Sequence, residues 1–340
     1  MTFLYNTTYN TTIIQPAPES RASASYCNLC TGEFNMEIRV LRYFLAIARE
    51  GSITNAANFL HVTQPTLSRQ IHDLEEELGQ KLFIRGSHSM TLTAEGMILR
   101  KRADEIVSMI DKTEAEFHSM ENAIGGDIYI GSGETDAIKL VARVARELRE
   151  SYPEIRYHLY SGNSEDVTER LDKGLLDFGI LIQPADIAKY DYMNIPAKDT
   201  WGVIMRKDCP LAEKDFIRKE DLLDLPLICS RQAMAHGREG NEFADWFGAD
   251  FDRLNVVTTF NLVYNAAIMV EAGVGYAITI DKLTDTSENS SLCFRPLKPK
   301  LESGLNIVWK KYQVFSSAAE LFLERLQQSF FSPNTPYSSF

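Results

Sequence analysis

Residues 52–79, SITNAANFLHVTQPTLSRQIHDLEEELG, decide the fold of this chain. They read as two short amphipathic helices joined by a tight turn. Ile53, Ala56, Ala57 and Leu60 recur at helical spacing, and so do Leu67, Ile71, Leu74 and Leu78. Ser52 and Thr63 stand where N-caps belong, and Pro65 falls in a first turn, where its missing N–H costs little. Gly51 and Gly79 are placed to stop the flanking helices. With the apolar positions of the second helix on one side, Gln64, Pro65, Thr66, Ser68, Arg69 and His72 fall on the other. These residue types can read base edges in a major groove. The small pair Ala56-Ala57 lets the two helices cross closely. Any two packed helices can share the spacing, and a polar face is commonly just solvated. The segment C-terminal to Gly79 tips the balance toward a DNA-reading helix-turn-helix.

After Gly79, Leu82-Phe83-Ile84 and Met90-Thr91-Leu92 are β-prone runs separated by Gly86-Ser87-His88-Ser89, a hairpin signal. Helix-turn-helix plus hairpin makes a winged domain, with Arg85 at the base of the wing, suited to a phosphate or minor-groove contact. A long helix begins near Thr93. Leu99, Ala103, Ile106, Ile110, Thr113, Phe117 and Met120 alternate in steps of four and three, a heptad stripe. Such a stripe can pack on its own domain. Its length, beyond a domain already closed by the wing, predicts dimerisation through Leu99, Ala103, Ile106, Ile110 and Phe117.

The chain resembles LysR-type transcriptional regulators. The matching residues are LRYFLAIAREGSITNAANFLHVTQPTLSRQIHDLEEELGQKLFIR, then LTAEG and the linker helix, and the resemblance runs on from Met36 through the C-terminal part. It implies an α/β fold with an N-terminal all-α-plus-hairpin domain: a winged helix-turn-helix, a long linker helix and a two-lobed effector domain of the periplasmic-binding-protein type (type 2). It also implies double-stranded promoter or operator DNA as partner, a small-molecule effector, homodimers or homotetramers, and RNA polymerase as a further candidate partner. Carried over by position, Gln64, Pro65, Ser68 and Arg69 read DNA and Arg85 lies on the wing. Where the family often has a second basic residue near the wing tip, this chain has Gly86-Ser87-His88-Ser89.

The resulting division is a disordered extension at 1–35, for which an upstream start codon is one origin, a DNA-binding domain at 36–93 and a linker at 94–122. An effector domain at 126–330 and a tail at 331–340 complete it. Lobe I is expected at about 126–195 and 292–330, and lobe II at about 196–285. The formal net charge of −12 is unevenly spread. Residues 36–102 hold nine Lys+Arg against seven Asp+Glu, while 103–340 carry a net −13. The acidic remainder would discourage nonspecific contact with nucleic acid outside the reader.

Cys27, Cys30, Cys209, Cys229 and Cys293 are an odd, sparse set, which fits reduced thiols in a cytoplasm. The lone Cys27-x-x-Cys30 and six histidines without ligand spacing call for no metal, and no cofactor motif is present. No apolar run reaches membrane-spanning length, and no basic stretch leads into an apolar core at the N-terminus. The sequons at Asn6 and Asn10 read as accidental.

From Asp127 strands and helices alternate, which predicts two α/β lobes with parallel sheets and crossovers near 194–198 and 284–292. Ligands of such sheets bind beyond strand C-termini, at helix N-termini. That rule selects Ser132, Glu134, Thr135, Asn163 and Ser164 on one lobe, and Thr200, Trp201, Ser230 and Arg231 on the other. Ordinary capping accounts equally well for Ser164 and Thr135. The resemblance implies a small hydroxyl residue where Glu134 stands. Glu134 and Asp136 would oppose a carboxylate, so a cationic, zwitterionic or neutral effector is expected, although Arg231 could pair with an anion.

Two other classes compete with a regulator: an enzyme on the α/β lobes and a solute-binding protein. Gly131-x-Gly133 lacks the third glycine of a dinucleotide fingerprint, and GxxxxGK[ST], GxSxG and HExxH do not occur. A solute-binding protein would need an export signal. The expectation is a regulator without catalytic residues.

Overall fold

The computed structural model describes residues 36–86, 89–119, 125–234 and 241–331. The chain divides into two compact units, 1–100 and 101–340. The expectations for residues 1–35, the wing tip at Ser87-His88, Met120 and the last nine residues of the tail lie outside the described residues.

In the first unit, α1 (Ile38–Glu50), α2 (Ile53–Phe59) and α3 (Gln64–Leu78) enclose Leu41, Phe44, Ile47, Ala56, Ala57, Leu67, Ile71 and Leu74, all nearly inaccessible to solvent. The caps read from sequence form. Ser52 and Thr63 accept from the amides of Asn55 and Thr66, and Gly51 and Gly79 close α1 and α3 in the left-handed conformation. Strands β1 (Phe83–Arg85) and β2 (Met90–Leu92) pair antiparallel as the wing. Helix α4 (Ala94–Ser119) comes next, with Thr93 Oγ1 accepting from Gly96 N at 2.9 Å. A Cβ on Gly96 would lie 2.2 Å from Leu82 O, so the start of this helix requires glycine.

The second unit holds two lobes. Lobe I is built on β3 (Gly126–Ser132), β4 (Ile155–Ser161), β5 (Phe178–Ile182), β6 (Tyr190–Arg206) and β11 (Glu302–Lys310). Their order is β4-β3-β5-β11-β6. Helices α5 (Ile138–Ser151), α6 (Ser164–Asp172) and α9 (Ser317–Phe331) cover its faces. Lobe II continues from β6 through β9 (Tyr276–Ile280), β7 (Leu227–Ser230) and β8 (Val256–Phe260). Strand β10 (Leu292–Pro296) lies on the end of β6. Helices α7 (Glu242–Phe247) and α8 (Val263–Glu271) pack on this lobe.

Three expectations are corrected. The sheets are mixed rather than parallel: β3 pairs parallel with β4 and β5, but β11 runs antiparallel to both β5 and β6. The first crossover is no loop at 194–198. β6 runs unbroken for 17 residues, pairing with β11 up to Thr200 and with β9 from Trp201. Residue 292 does not open the return to lobe I, because β10 belongs to lobe II and the chain crosses back only between Leu297 and Glu302. Alternating hydrophobicity marks a strand but not its partner, so strand direction and sheet membership were not readable locally. The short helix α7 also went unread.

Candidate nucleic-acid interface and inter-lobe cavity

Helix α3 buries Leu67, Ile71, Leu74 and Glu75 and turns Gln64, Pro65, Thr66, Arg69 and His72 to solvent, with Ser68 half-buried. The Arg69 side chain is 83% exposed and lies 3.8 Å from Asp73, so it is extended but oriented. His72 stands 3.7 Å from Glu76. Thr66 is partly occupied, since its hydroxyl meets the Thr63 cap at 2.7 Å. Arg85 is exposed at the end of β1. Sequence reasoning missed Glu75. Its carboxylate accepts from the amides of Leu82 and Phe83 at 2.9 and 3.3 Å and pairs with Lys81 at 2.7 Å. Burial works against its charge, yet Lys81 and the two amides prevail and hold the carboxyl below the usual range. This residue fixes the wing to the recognition helix. The i+4 spacing from Ile71 put it next to the apolar stripe, which was the only local signal of its burial.

The linker stripe splits. Ile106 and Phe117 are exposed, Leu99 and Ile110 half-buried, and Ala103 is fully buried within the single chain, so Ala103 leaves the expected seam. A neighbouring face of α4 is already engaged. Lys112 pairs with Asp177 at 2.7 Å and Glu105 with Lys173 at 2.7 Å.

Between the lobes lies a cavity of about 80 Å³. Of the nine residues named from sequence, Glu134, Asn163, Ser164, Trp201 and Ser230 are on its walls. Ser132, Thr135, Thr200 and Arg231 are not. The Ser132 hydroxyl donates to Gly133 O at 2.6 Å, and Thr135 donates to Asp199 at 3.0 Å while capping Ala137 N. Arg231 is exposed, and its neighbour Gln232 faces the cavity instead. Gln232 was missed. Its side chain accepts from Ser164 N at 3.3 Å and donates to the carbonyls of Ile182 and Pro184 at 3.4 and 3.3 Å, all three on the opposite lobe. Apolar walls come from Ile182, Trp201, Phe243, Phe260 and Leu283. Trp201 Nε1 is satisfied by Ser303 Oγ at 2.8 Å.

At the hinge strand Asp199 is buried, and burial pushes its carboxyl up to about 6, helped by Asp281 and Asp136 against the Thr135 hydrogen bond and Lys282. Its Oδ2 has no hydrogen-bond partner among the described residues.

Residues 38–97 match the family described as "Bacterial regulatory helix-turn-helix protein, lysR family", and residues 122–331 match "LysR substrate binding domain". Among curated relatives, the uncharacterized HTH-type transcriptional regulator YvbU of Bacillus subtilis is 28% identical over 297 residues, covering 87% of this chain and 99% of that one. The HTH-type transcriptional regulator BsdA of the same organism is 32% identical over 206 residues, covering 59% of this chain and 69% of that one. Among solved structures, CbnR complexed with its target DNA is similar with a TM-score of 0.65 at 19% identity, covering 86% of this chain and all of that one, which shows a shared fold. Among the described residues no helix is long and apolar enough to cross a membrane. With a helix-turn-helix matched at residues 38–97 and a substrate-binding domain at 122–331, the chain belongs to the LysR family and is a LysR-type transcriptional regulator.

Proposed function

We propose that Gln64, Pro65, Thr66, Ser68, Arg69 and His72 form the base-reading face of this regulator, with Arg85 on the phosphate backbone. The observation that carries the reading is the division of α3 into a side that buries Leu67, Ile71 and Leu74 and a solvent side rich in hydrogen-bonding groups. CbnR, which shares the fold, was solved on its target DNA, and that supports the placement. One helix covers one half-site, so the working form is an oligomer held in part by the linker through Leu99, Ile106, Ile110 and Phe117.

The same proposal makes the inter-lobe cavity the effector site, with Glu134, Asn163, Ser164, Trp201, Ser230 and Gln232 on its walls. A concave, mostly apolar space with convergent amides and hydroxyls is what a small-molecule site requires. The protein acts in the cytoplasm as a switch and not as a catalyst. Ser230→Phe fills the cavity and leaves the residues of α3 unaltered, and it should keep operator affinity intact while abolishing the effector's influence on it. Gel-shift titrations with and without inducing cell extract measure both. A Ser230→Phe protein that still responds would move the effector elsewhere.

A further inference from the structure

An acid entering a two-lobed site of this kind would seek backbone amides at helix N-termini, where donors and helix dipole converge. Three helices start at this cavity; Asn241 caps the short α7 by accepting from Ala244 N, which leaves α6 and α8. Both starts are already occupied by acceptors from the opposite lobe. Ser164 N at the beginning of α6 donates to Gln232 Oε1 at 3.3 Å. Val263 N, the first residue of α8, donates to the Glu134 carboxylate, a short contact that spans the cleft. Leu262, at the N-cap of α8, supplies no side-chain acceptor of its own. Glu134 therefore performs the capping from the other lobe.

Among the described residues that line the cavity, Glu134 is the only charged one. Its charge is spent on α8. What remains for a ligand among the described residues is a neutral lining: the side-chain NH2 groups of Asn163 and Asn261, whose oxygens accept from Asp166 N and Leu262 N, the hydroxyls of Ser230 and Thr279, and the apolar walls. We propose that the cavity selects an uncharged, hydrogen-bonding ligand, and that Glu134 enforces this by seating the chain's own carboxylate on the N-terminus of α8, where an acid would otherwise bind. This rests on reading the cavity as the effector site. The contact also ties lobe I to lobe II without any acid.

The test uses the full-length protein with acetate as the probe carboxylate, at neutral pH, against chloride at matched ionic strength. Glu134→Ser vacates the α8 terminus. It should melt below the wild type and be raised by acetate, by about 2–4 °C as sites fill, while the wild type melts alike in both salts. Glu134→Gln keeps the size and an acceptor oxygen but loses the charge. It should also melt below the wild type at low salt, ignore acetate, and approach the wild type as salt screens the interaction. A wild type raised by acetate as strongly as Glu134→Ser would overturn the proposal. A folded Glu134→Ser protein indifferent to acetate would do the same, and so would a Glu134→Gln protein as stable as wild type at low salt. If Ser230→Phe abolishes regulation while Glu134→Ser ignores acetate, the effector site stands and the occupancy by Glu134 falls. The reverse pair of results retains the occupancy and removes the effector site.

Discussion

Lys112 Nζ lies 2.7 Å from Asp177 Oδ1, and both side chains are more than nine-tenths buried. Lys112 also donates to Gly174 O at 3.2 Å, and Asp177 Oδ2 accepts from Tyr129 N at 2.8 Å. The last turns of the linker helix are thus pinned to the first strand of lobe I by a satisfied buried ion pair. Removing one partner strands the other charge in a low-dielectric site, which costs about 3–5 kcal/mol. Lys112→Met should lower the stability of the second unit by that order in urea unfolding. The double variant with Asp177→Asn should lose less than the two single losses added. Strict additivity would mean that the pair contributes no coupling.

Base reading makes a sharper prediction on the solvent side of α3. Arg69→Ala and Gln64→Ala should each weaken specific operator binding by roughly 1–3 kcal/mol, with little change on scrambled DNA and none in melting temperature. Fluorescence anisotropy against both DNAs measures the ratio. Equal losses on the two would reassign these residues to phosphate contacts.

The linker seam is tested where it is most open, at Ile106 and Phe117, which are 42% and 67% exposed. Ile106→Glu with Phe117→Glu sets like charges against each other if two linkers meet on this face. Light scattering should then show a smaller particle, and operator affinity should fall with the loss of the second half-site. An unchanged particle mass would place the seam on another face of α4.

Asp199 predicts a pH dependence of stability. Its folded-state value is raised to about 6 from 3.8, so the native protein holds this proton where the unfolded chain has released it. Stability contributed by this group is therefore highest below the unfolded value, falls as pH rises between the two, and stays low above about 6. The full cost is on the order of 3 kcal/mol. Asp199→Asn keeps the acceptor for Thr135 and removes the charge. It should stabilise the protein at pH 8 and leave it nearly unchanged at pH 4, as read from denaturant midpoints. A constant difference across that range would assign the effect to packing instead of ionisation.

The helix-turn-helix was legible because its determinants are local. Ser52 and Thr63 cap their own helices, Gly51 and Gly79 stop theirs, and the stripe from Leu67 to Leu78 declares its buried side through helical period alone. The alternation of strands and helices in the effector lobes was legible for the same reason, although the first half of β6 stands where a crossover was expected. The directions and partners of the strands were not, as β6 shows by serving both lobes with one uninterrupted run.

The cavity was half legible. Placement beyond strand C-termini put the right loops at its rim, but a turn sends adjacent side chains in different directions. Arg231 faces solvent beside Gln232, which bridges the lobes, and Ser132 hydrogen-bonds its own neighbour beside the lining Gly133. Glu134 was marked by its charge. That its carboxylate would cap α8, 129 residues further on, depends on how two lobes close, and no local pattern records that. Thus the sequence by itself determined the reader, its caps, the linker and the alternation of strands and helices, since each arises from propensity and periodicity within a few turns of chain. Tertiary structure alone decided sheet partners, the burial of Ala103, the pairing of Lys112 with Asp177 and the filling of the α8 terminus, because each joins groups that only meet once distant segments have packed.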